Sequence, residues 1–340
     1  MAAVEILSIG EHLGETQQGR ILTFVVPAPD GCNLKCGFCF IRQRREIAEC
    51  TLQPHHYTQF IREASARTRP YGLAIQGYEP LLPESRVYTQ SILATGQSLR
   101  LSTALVTNGT HLREAVDWLV PLAPAEIVVS LDAPSAIAHD RLRGISGAWA
   151  TTVAGIERAV HVLSPRRLAV ASVLMPSDNW PLDEMPQFLR RLGIERWIIT
   201  PLLKVGGETP GGPTGERATL YRSLARLQDA ADNADVGLTI SDELDCLQHK
   251  QASANQSEIR RFHVRTIPEC VDLIRLAPDG ACSVGGGILQ QVRPTTPRWH
   301  PDEEHAGDFL AGLLSAIEKR EAARRPNARH KLRLRQASLL

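Results

Sequence analysis

Short apolar runs alternate with amphipathic stretches over the first 240 residues. RILTFVV (20–26) is aliphatic and β-branched and stops at Pro27, which predicts a buried strand. YGLAIQG (71–77), LSTALVTNG (101–109), EIVVSLD (126–132), RLAVASVL (167–174) and RWIITPL (196–202) repeat the pattern, and GLTIS (237–241) is a candidate seventh strand. Between them the apolar spacing changes to that of a helix. Tyr57, Phe60, Ile61 and Ala64 share one face, as do Leu112, Ala115, Val116 and Leu119, and Met185, Phe188, Leu189 and Leu192. PESRVYTQSILATGQ and the segment carrying Trp149, Val153, Ile156, Val160 and Leu163 read as further helices, followed by one bearing Leu220, Leu224 and Leu227.

Strands alternating with helices of this length imply parallel βαβ units. Six in succession predict a partial (β/α)6 TIM-like barrel over 20–240, after an N-terminal segment 1–19. Functional residues then belong at the carboxyl ends of the strands. KVGGETPGGPTGE (204–216), with its glycines and prolines, is a loop expected to cover the barrel mouth. Residues 241–318 are expected to form a small C-terminal α/β extension, with a hairpin near 271–284 around Pro278-Asp279-Gly280. Eight Lys and Arg between 319 and 335 mark a helix end running into a basic tail, 319–340.

Composition narrows the class without choosing the chemistry. The 340 residues are 43% hydrophobic and 22% charged, enough for a sizeable core. A net charge of +1 gives no pull toward nucleic acid or a membrane surface. The start MAAVEILSIGEH lacks a basic region followed by an apolar run, and no stretch approaches the ~18–20 apolar residues of a spanning helix. Seven cysteines argue for reduced thiols or metal rather than a disulfide framework. The expected setting is cytoplasmic.

Three of those cysteines fall in CNLKCGFC: Cys32, Cys36 and Cys39, with Gly31 and Gly37 beside them. They follow the first predicted strand, at the end where active residues belong. Three thiolates can hold three irons of a four-iron cluster and leave the fourth open. One rival is a zinc-stabilised binding module that completes its ligand set with Cys50, His55 or His56. An electron-transfer iron–sulfur protein is another, although no fourth cysteine stands at a suitable spacing.

The CxxxCxxC spacing, with Phe38 before the last cysteine, resembles the radical S-adenosylmethionine (radical SAM) superfamily. Membership implies a [4Fe-4S] cluster on Cys32, Cys36 and Cys39, with S-adenosylmethionine on the open iron. It further implies reductive cleavage of the sulfonium, and a 5′-deoxyadenosyl radical that abstracts hydrogen from substrate. A flavodoxin- or ferredoxin-type reductant is the implied partner. QGYEP (76–80) resembles the family's Gly-Gly-Glu-Pro motif, with Tyr78 in place of the second glycine. The resemblance thus directs Gly77, Tyr78 and Glu79 at the methionine amino group. VTNGT and VSLDAP resemble the strand ends of the branch that includes molybdenum cofactor biosynthesis protein A and the SPASM/twitch enzymes. Ser130 and Arg143 are implied contacts of the methionine carboxylate. Asp132 is implied near the ribose, and Asn108 is a further cofactor candidate that also reads as a turn residue before Gly109. In a barrel of this kind Pro201 and Leu202 are candidates for adenine contact. Arg42, Arg44 and Arg45 follow the cysteine loop as either a substrate-facing group or a solvated turn.

IPECVDLIRLAPDGAC resembles the auxiliary-cluster region of the same branch, with fewer cysteines than that region normally supplies. Cys270 and Cys282, with distant Cys246, leave three readings open. They hold a second cluster, they are ordinary thiols, or Cys282 is a catalytic hydrogen donor to a product radical. The function implied is a radical SAM enzyme acting on a small polar metabolite such as a sugar, nucleoside or natural-product intermediate. The alternative substrate is a ribosomal peptide. The reaction is an epimerisation, dehydrogenation, decarboxylation or rearrangement.

Overall fold

The computed structural model describes residues 19–28, 31–39, 50–175, 182–201, 214–241, 264–265, 271–285 and 296–324. Strand and helix alternate as the apolar periodicity predicts. β1 (Gly19–Phe24) is followed by α1 (Pro54–Thr68), β2 (Gly72–Ile75) by α2 (Arg86–Ser98), and β3 (Ser102–Thr107) by α3 (Leu112–Leu119). β4 (Glu126–Ser130) leads into α4 (Ala136–Arg143) and α5 (Ala148–Val162). β5 (Leu168–Leu174), α6 (Met185–Arg191), β6 (Arg196–Pro201), α7 (Thr214–Asn233) and β7 (Gly237–Ser241) complete the series. β8 (Val264–Arg265), β9 (Val271–Leu276), β10 (Cys282–Gly285) and α8 (Ala306–Arg324) follow.

The ten strands among the described residues form one sheet, in the order β10-β9-β1-β2-β3-β4-β5-β6-β7-β8. Every pairing from β9 to β8 is parallel, and only β10 runs antiparallel to its neighbour. The sheet is open, with β10 and β8 at its two edges. Alternation along each strand sorts the side chains into two layers. Leu22, Phe24, Leu73, Ile75, Leu105, Ile127, Val129, Val170, Trp197 and Ile199 face the helices and belong to the main hydrophobic core. The opposite face carries a smaller cluster of Val128, Ala169, Ala171 and Ile198. This opposite face is the concave side, the lumen of the partial barrel.

The C-terminal hairpin turns where expected, at Pro278-Asp279-Gly280, but it is not a satellite. β9 pairs with β1 over six residues, Gly19↔Val271 to Phe24↔Leu276. This makes β9 as much a part of the parallel sheet as β2. Its apolar residues explain the placement: Ile274 and Leu276 are fully buried on the helix-facing side. Trp299 then packs on Phe60 of α1, ring centroids 5.1 Å apart, and holds the approach to α8 against α1. The loop 204–216, apart from the first residues of α7, and Cys246, Cys270, Arg42, Arg44, Arg45 and Leu202 lie outside the described residues.

Ile274→Ala removes a fully buried side chain from the β9–β1 seam. A loss of about 2–5 kcal/mol is expected, in a single unfolding transition shared with the barrel. Two separate transitions in urea, only the smaller one shifted, would show the hairpin to be an independent unit.

Candidate active site

Three strand ends converge on the cysteine loop that follows β1. The first contact is made by the end of β2. The Glu79 N–H donates to the Gly31 carbonyl at 3.3 Å, joining QGYEP to the loop's first glycine. Gly77 has φ +114, a conformation that side-chain-bearing residues avoid. Tyr78 packs with Ala28 and Leu82, and its ring lies against Gly31, where a Cβ would come within 2.8 Å of it. The departure from the family motif therefore has a packing role: the aromatic ring supports the start of the loop.

Glu79 is buried, and its carboxylate collects three donors. The Thr107 hydroxyl donates to Oε1 at 2.6 Å, the Leu81 N–H to Oε1 at 3.0 Å, and the Asn108 N–H to Oε2 at 2.6 Å. Burial nevertheless pushes Glu79 up to about 7, with these hydrogen bonds and the more distant Arg143 pulling it back. A carboxylate so placed gains from an incoming cation.

The end of β3 supplies the second contact. The Asn108 side chain donates to Asn33 Oδ1 at 2.8 Å and to Cys32 Sγ at 3.5 Å. Its own Oδ1 accepts from the Thr110 N–H and hydroxyl at 2.9 and 2.7 Å, and Asn33 donates to the Thr110 hydroxyl at 2.9 Å. Asn108 is thus more than a turn residue; it ties β3 to the loop. Asn33, Thr107 and Thr110 lie inside CNLKC and VTNGT but were not singled out by sequence reasoning.

The end of β4 supplies the third. Asp132 Oδ2 pairs with Arg143 Nε at 2.6 Å, both side chains buried. Asp132 Oδ1 accepts from the Val173 N–H at 3.0 Å, so both carboxylate oxygens are engaged within the protein. Arg143 also reaches Cys36 Sγ at 3.8 Å and lies over the Phe38 ring at 5.5 Å. Burial alone would lower Arg143, but Asp132 and then Cys36 hold it well above its ordinary value. His139 was also missed by sequence reasoning. It is buried, accepts the Asp132 N–H on Nδ1 at 3.2 Å, and is driven down to about 4 by burial. Ser130 is fully buried on the lumen face, two residues before Asp132.

The three thiols are free and half-buried. Burial pushes Cys32 up to about 11 and raises Cys36. Among the described residues no three His, Cys, Asp or Glu side chains form a set that could hold one metal ion. Two of the three candidate fourth zinc ligands, His56 and Cys50, are occupied locally. His56 accepts the Gln53 N–H on Nδ1 at 3.1 Å, in the capping box of α1. The exposed Cys50 thiol donates to the Leu52 carbonyl at 3.4 Å.

Pro201 ends β6 in register with Leu174. Cys282 lies elsewhere. It pairs with Leu276 across the hairpin and so shares that residue's helix-facing side. It is fully buried in the main core, where burial pushes its thiol up to about 12. The structure does not bring it together with the other three cysteines.

Residues 26–192 match the family model described as the Radical SAM superfamily. Residues 26–192 thus form a radical SAM domain. Superfamily members use a [4Fe-4S] cluster and S-adenosylmethionine. The chain is 33% identical over 143 residues to the AdoMet-dependent heme synthase of Methanosarcina barkeri, covering 42% of this chain and 39% of that one. It is 27% identical over 162 residues to a probable GTP 3',8-cyclase of Thermococcus kodakarensis, covering 48% and 51%. The chain therefore spans about two fifths of the first of these curated relatives and about half of the second. Among solved structures it resembles Streptococcus suis SuiB bound to S-adenosylmethionine, with TM-score 0.59, 14% identity, and coverage of 86% of this chain and 64% of that one. The anSMEcpe enzyme with bound AdoMet and the Cp18Cys peptide gives TM-score 0.56 at 14% identity, over 85% and 82%. At such identities the likeness concerns the fold, a partial barrel with an open sheet.

The donor set fits both cofactors. Three reduced thiols on one loop suit three irons, since a cluster spreads its ligands over separate metals. The buried Glu79 carboxylate suits an ammonium group.

Glu79 gives a pH test of this geometry. Its folded-state pKa of about 7 lies above its ordinary value of 4.5, so the stabilising state is the acid. Its contribution is complete below about 4.5 and is lost as pH rises through about 7, by about 3 kcal/mol in all. His139 acts in the opposite sense, gaining stability as pH rises from about 4 to 6.5, so the comparison is with Glu79→Gln. The cluster-free variant is expected to gain on the wild type between pH 5 and 8 in urea titrations. A constant difference would mean that the three donors keep Glu79 ionised throughout.

Proposed function

We propose that Cys32, Cys36 and Cys39 hold a [4Fe-4S] cluster and that S-adenosylmethionine binds beside it at the mouth of the partial barrel. Together, when bound and reduced, they supply a 5′-deoxyadenosyl radical, which takes a hydrogen atom from a substrate held in the lumen. The observation that carries this reading is the convergence of Glu79 and Asn108, from the ends of β2 and β3, and Arg143, from the last turn of α4, on one loop bearing three free thiols.

The residues divide the work. Glu79 neutralises the methionine ammonium, and the backbone at Gly77 and Tyr78 runs beside it. Ser130 and the remaining donors of Arg143 face the methionine carboxylate, where a guanidinium suits two parallel bonds. Asn108 donates to Cys32 and so tempers the charge on that sulfur. Asp132 orients Arg143, because its own oxygens are already spent. Phe38 shields the loop beneath Arg143. Pro201, and Leu202 after it, border the adenine.

The substrate we favour is a small polar metabolite. The lumen face supports this: Thr23, Gln76 and Thr200 are buried there, their side-chain polar atoms without a hydrogen-bond partner, among Ala74, Ala104, Ala169 and Ala171. The two curated relatives, named for heme and GTP, agree in kind. A peptide is the second reading, favoured by the likeness to SuiB bound to its precursor peptide SuiA, TM-score 0.61. Cys282 is assigned no role in hydrogen donation, since its thiol lies in the outer core.

Anaerobic reconstitution and reduction with S-adenosylmethionine are expected to give 5′-deoxyadenosine. Alanine at Cys32, Cys36 or Cys39 is expected to abolish it together with the brown colour, while Cys282→Ala keeps iron near four per chain. A colourless protein that binds one zinc would sink the assignment in favour of a binding module.

A further inference from the structure

Residues 31–39 of the cysteine loop form neither helix nor strand, so something outside them must fix their path. One element touches it by backbone, by side chain and by ring at once: the last turn of α4. The Lys35 N–H, between the first two cysteines, donates to the Arg143 carbonyl at 2.8 Å. The Arg143 guanidinium reaches Cys36 Sγ at 3.8 Å and lies over the Phe38 ring at 5.5 Å. Gly144, at φ +71, packs so closely that a Cβ there would stand 2.5 Å from the Lys35 carbonyl oxygen. Contacts thus fall before Cys36, on Cys36, and between Cys36 and Cys39.

The turn itself is anchored from three sides. Asp132 holds Arg143 Nε at 2.6 Å, and His139 accepts the Asp132 N–H, joining α4 to the end of β4. The Gly144 N–H donates to the Asp140 carbonyl at 2.8 Å. The Asp140 carboxylate accepts from the N–H groups of Gly147 and Trp149 at 2.6 and 2.7 Å, joining α4 to α5. A part fixed this firmly, pressed on residues 31–39, which form no helix or strand, acts as a clamp.

We propose that the Arg143–Gly144 turn clamps the cysteine loop, making Arg143 a positioning residue for the cluster besides its role toward the cofactor. The proposal rests on the radical SAM reading of the loop. It predicts something a cofactor ligand alone would not: cluster retention depends on this turn even when no S-adenosylmethionine is present. Arg143→Lys keeps the charge but gives up the planar contact, and Gly144→Ala pushes a methyl into Lys35 while leaving the Asp132 pair intact.

The test is made on the full chain, reconstituted anaerobically without S-adenosylmethionine. Iron per chain, the rate of iron loss to a chelator and the spin-resonance spectrum of the reduced cluster are the readouts. Both variants are expected to lose iron about tenfold faster than wild type, the scale of the left-handed strain introduced at position 144. Arg143→Lys is also expected to shift the spectrum, because charge is unchanged and only geometry differs. Melting of the cluster-free proteins controls for folding. Should Gly144→Ala fail to fold, Arg143→Lys decides the matter through retention and spectrum. Wild-type retention and spectrum in Arg143→Lys, with only S-adenosylmethionine affinity reduced, would overturn the clamp and leave the enzyme class standing. A wild-type chain that takes up no four-iron cluster would overturn both.

Discussion

The buried pair of Asp132 and Arg143, 2.6 Å apart, is the interaction on which the site depends. Burying an arginine is costly unless its charge and donors are met. Asp132 meets the charge, and the guanidinium also contacts Cys36 and Phe38. Removing either partner would leave an uncompensated charge between the barrel and the cysteine loop. The same pair also orders the parts around it: β4 carries Asp132, α4 carries Arg143, and the loop after β1 rests on both. Three distant stretches of chain are held in one place by one ion pair.

The parallel sheet makes such a junction available. With every strand from β9 to β8 running the same way, the loops after β1, β2, β3 and β4 must emerge at one end. The apolar residues on the helix-facing side fix the register, and the register fixes which strand-end residues meet. Glu79, Asn108 and Asp132 lie 29 and 24 residues apart in sequence, yet each follows its strand by no more than four residues. Their meeting is a consequence of topology more than of any local preference. Two layers with different chemistry result: a dense outer core that excludes water, where Cys282 lies, and a lumen lined by alanine, threonine and glutamine.

Much of this was legible in the sequence. Alternating periods of two and 3.6 residues located the strands and helices of the barrel, because burial of one face enforces them. CNLKCGFC, QGYEP and VSLDAP each sat at the end of a strand, and the resemblance of these motifs to the radical SAM superfamily pointed to a common site. What stayed hidden was long-range. Nothing local says that VDLIRL pairs with RILTF across some 250 residues, so the hairpin read as an extension. Cys282 looked available because a cysteine after a turn carries no sign of which face it takes; pairing with Leu276 decides that. His139 and Asn33 were not singled out, and only the folded arrangement gives them partners. Tyr78 read as a departure from a glycine, and its packing on Gly31 appears only in three dimensions.

The central claim is that the loop carries a four-iron cluster whose one open iron accepts S-adenosylmethionine. Mössbauer spectroscopy of the iron-57 reconstituted chain tests this directly. The account predicts a four-iron cluster in which S-adenosylmethionine changes the signal of one iron in four and leaves the other three as they were. Four equivalent sites indifferent to S-adenosylmethionine would contradict it.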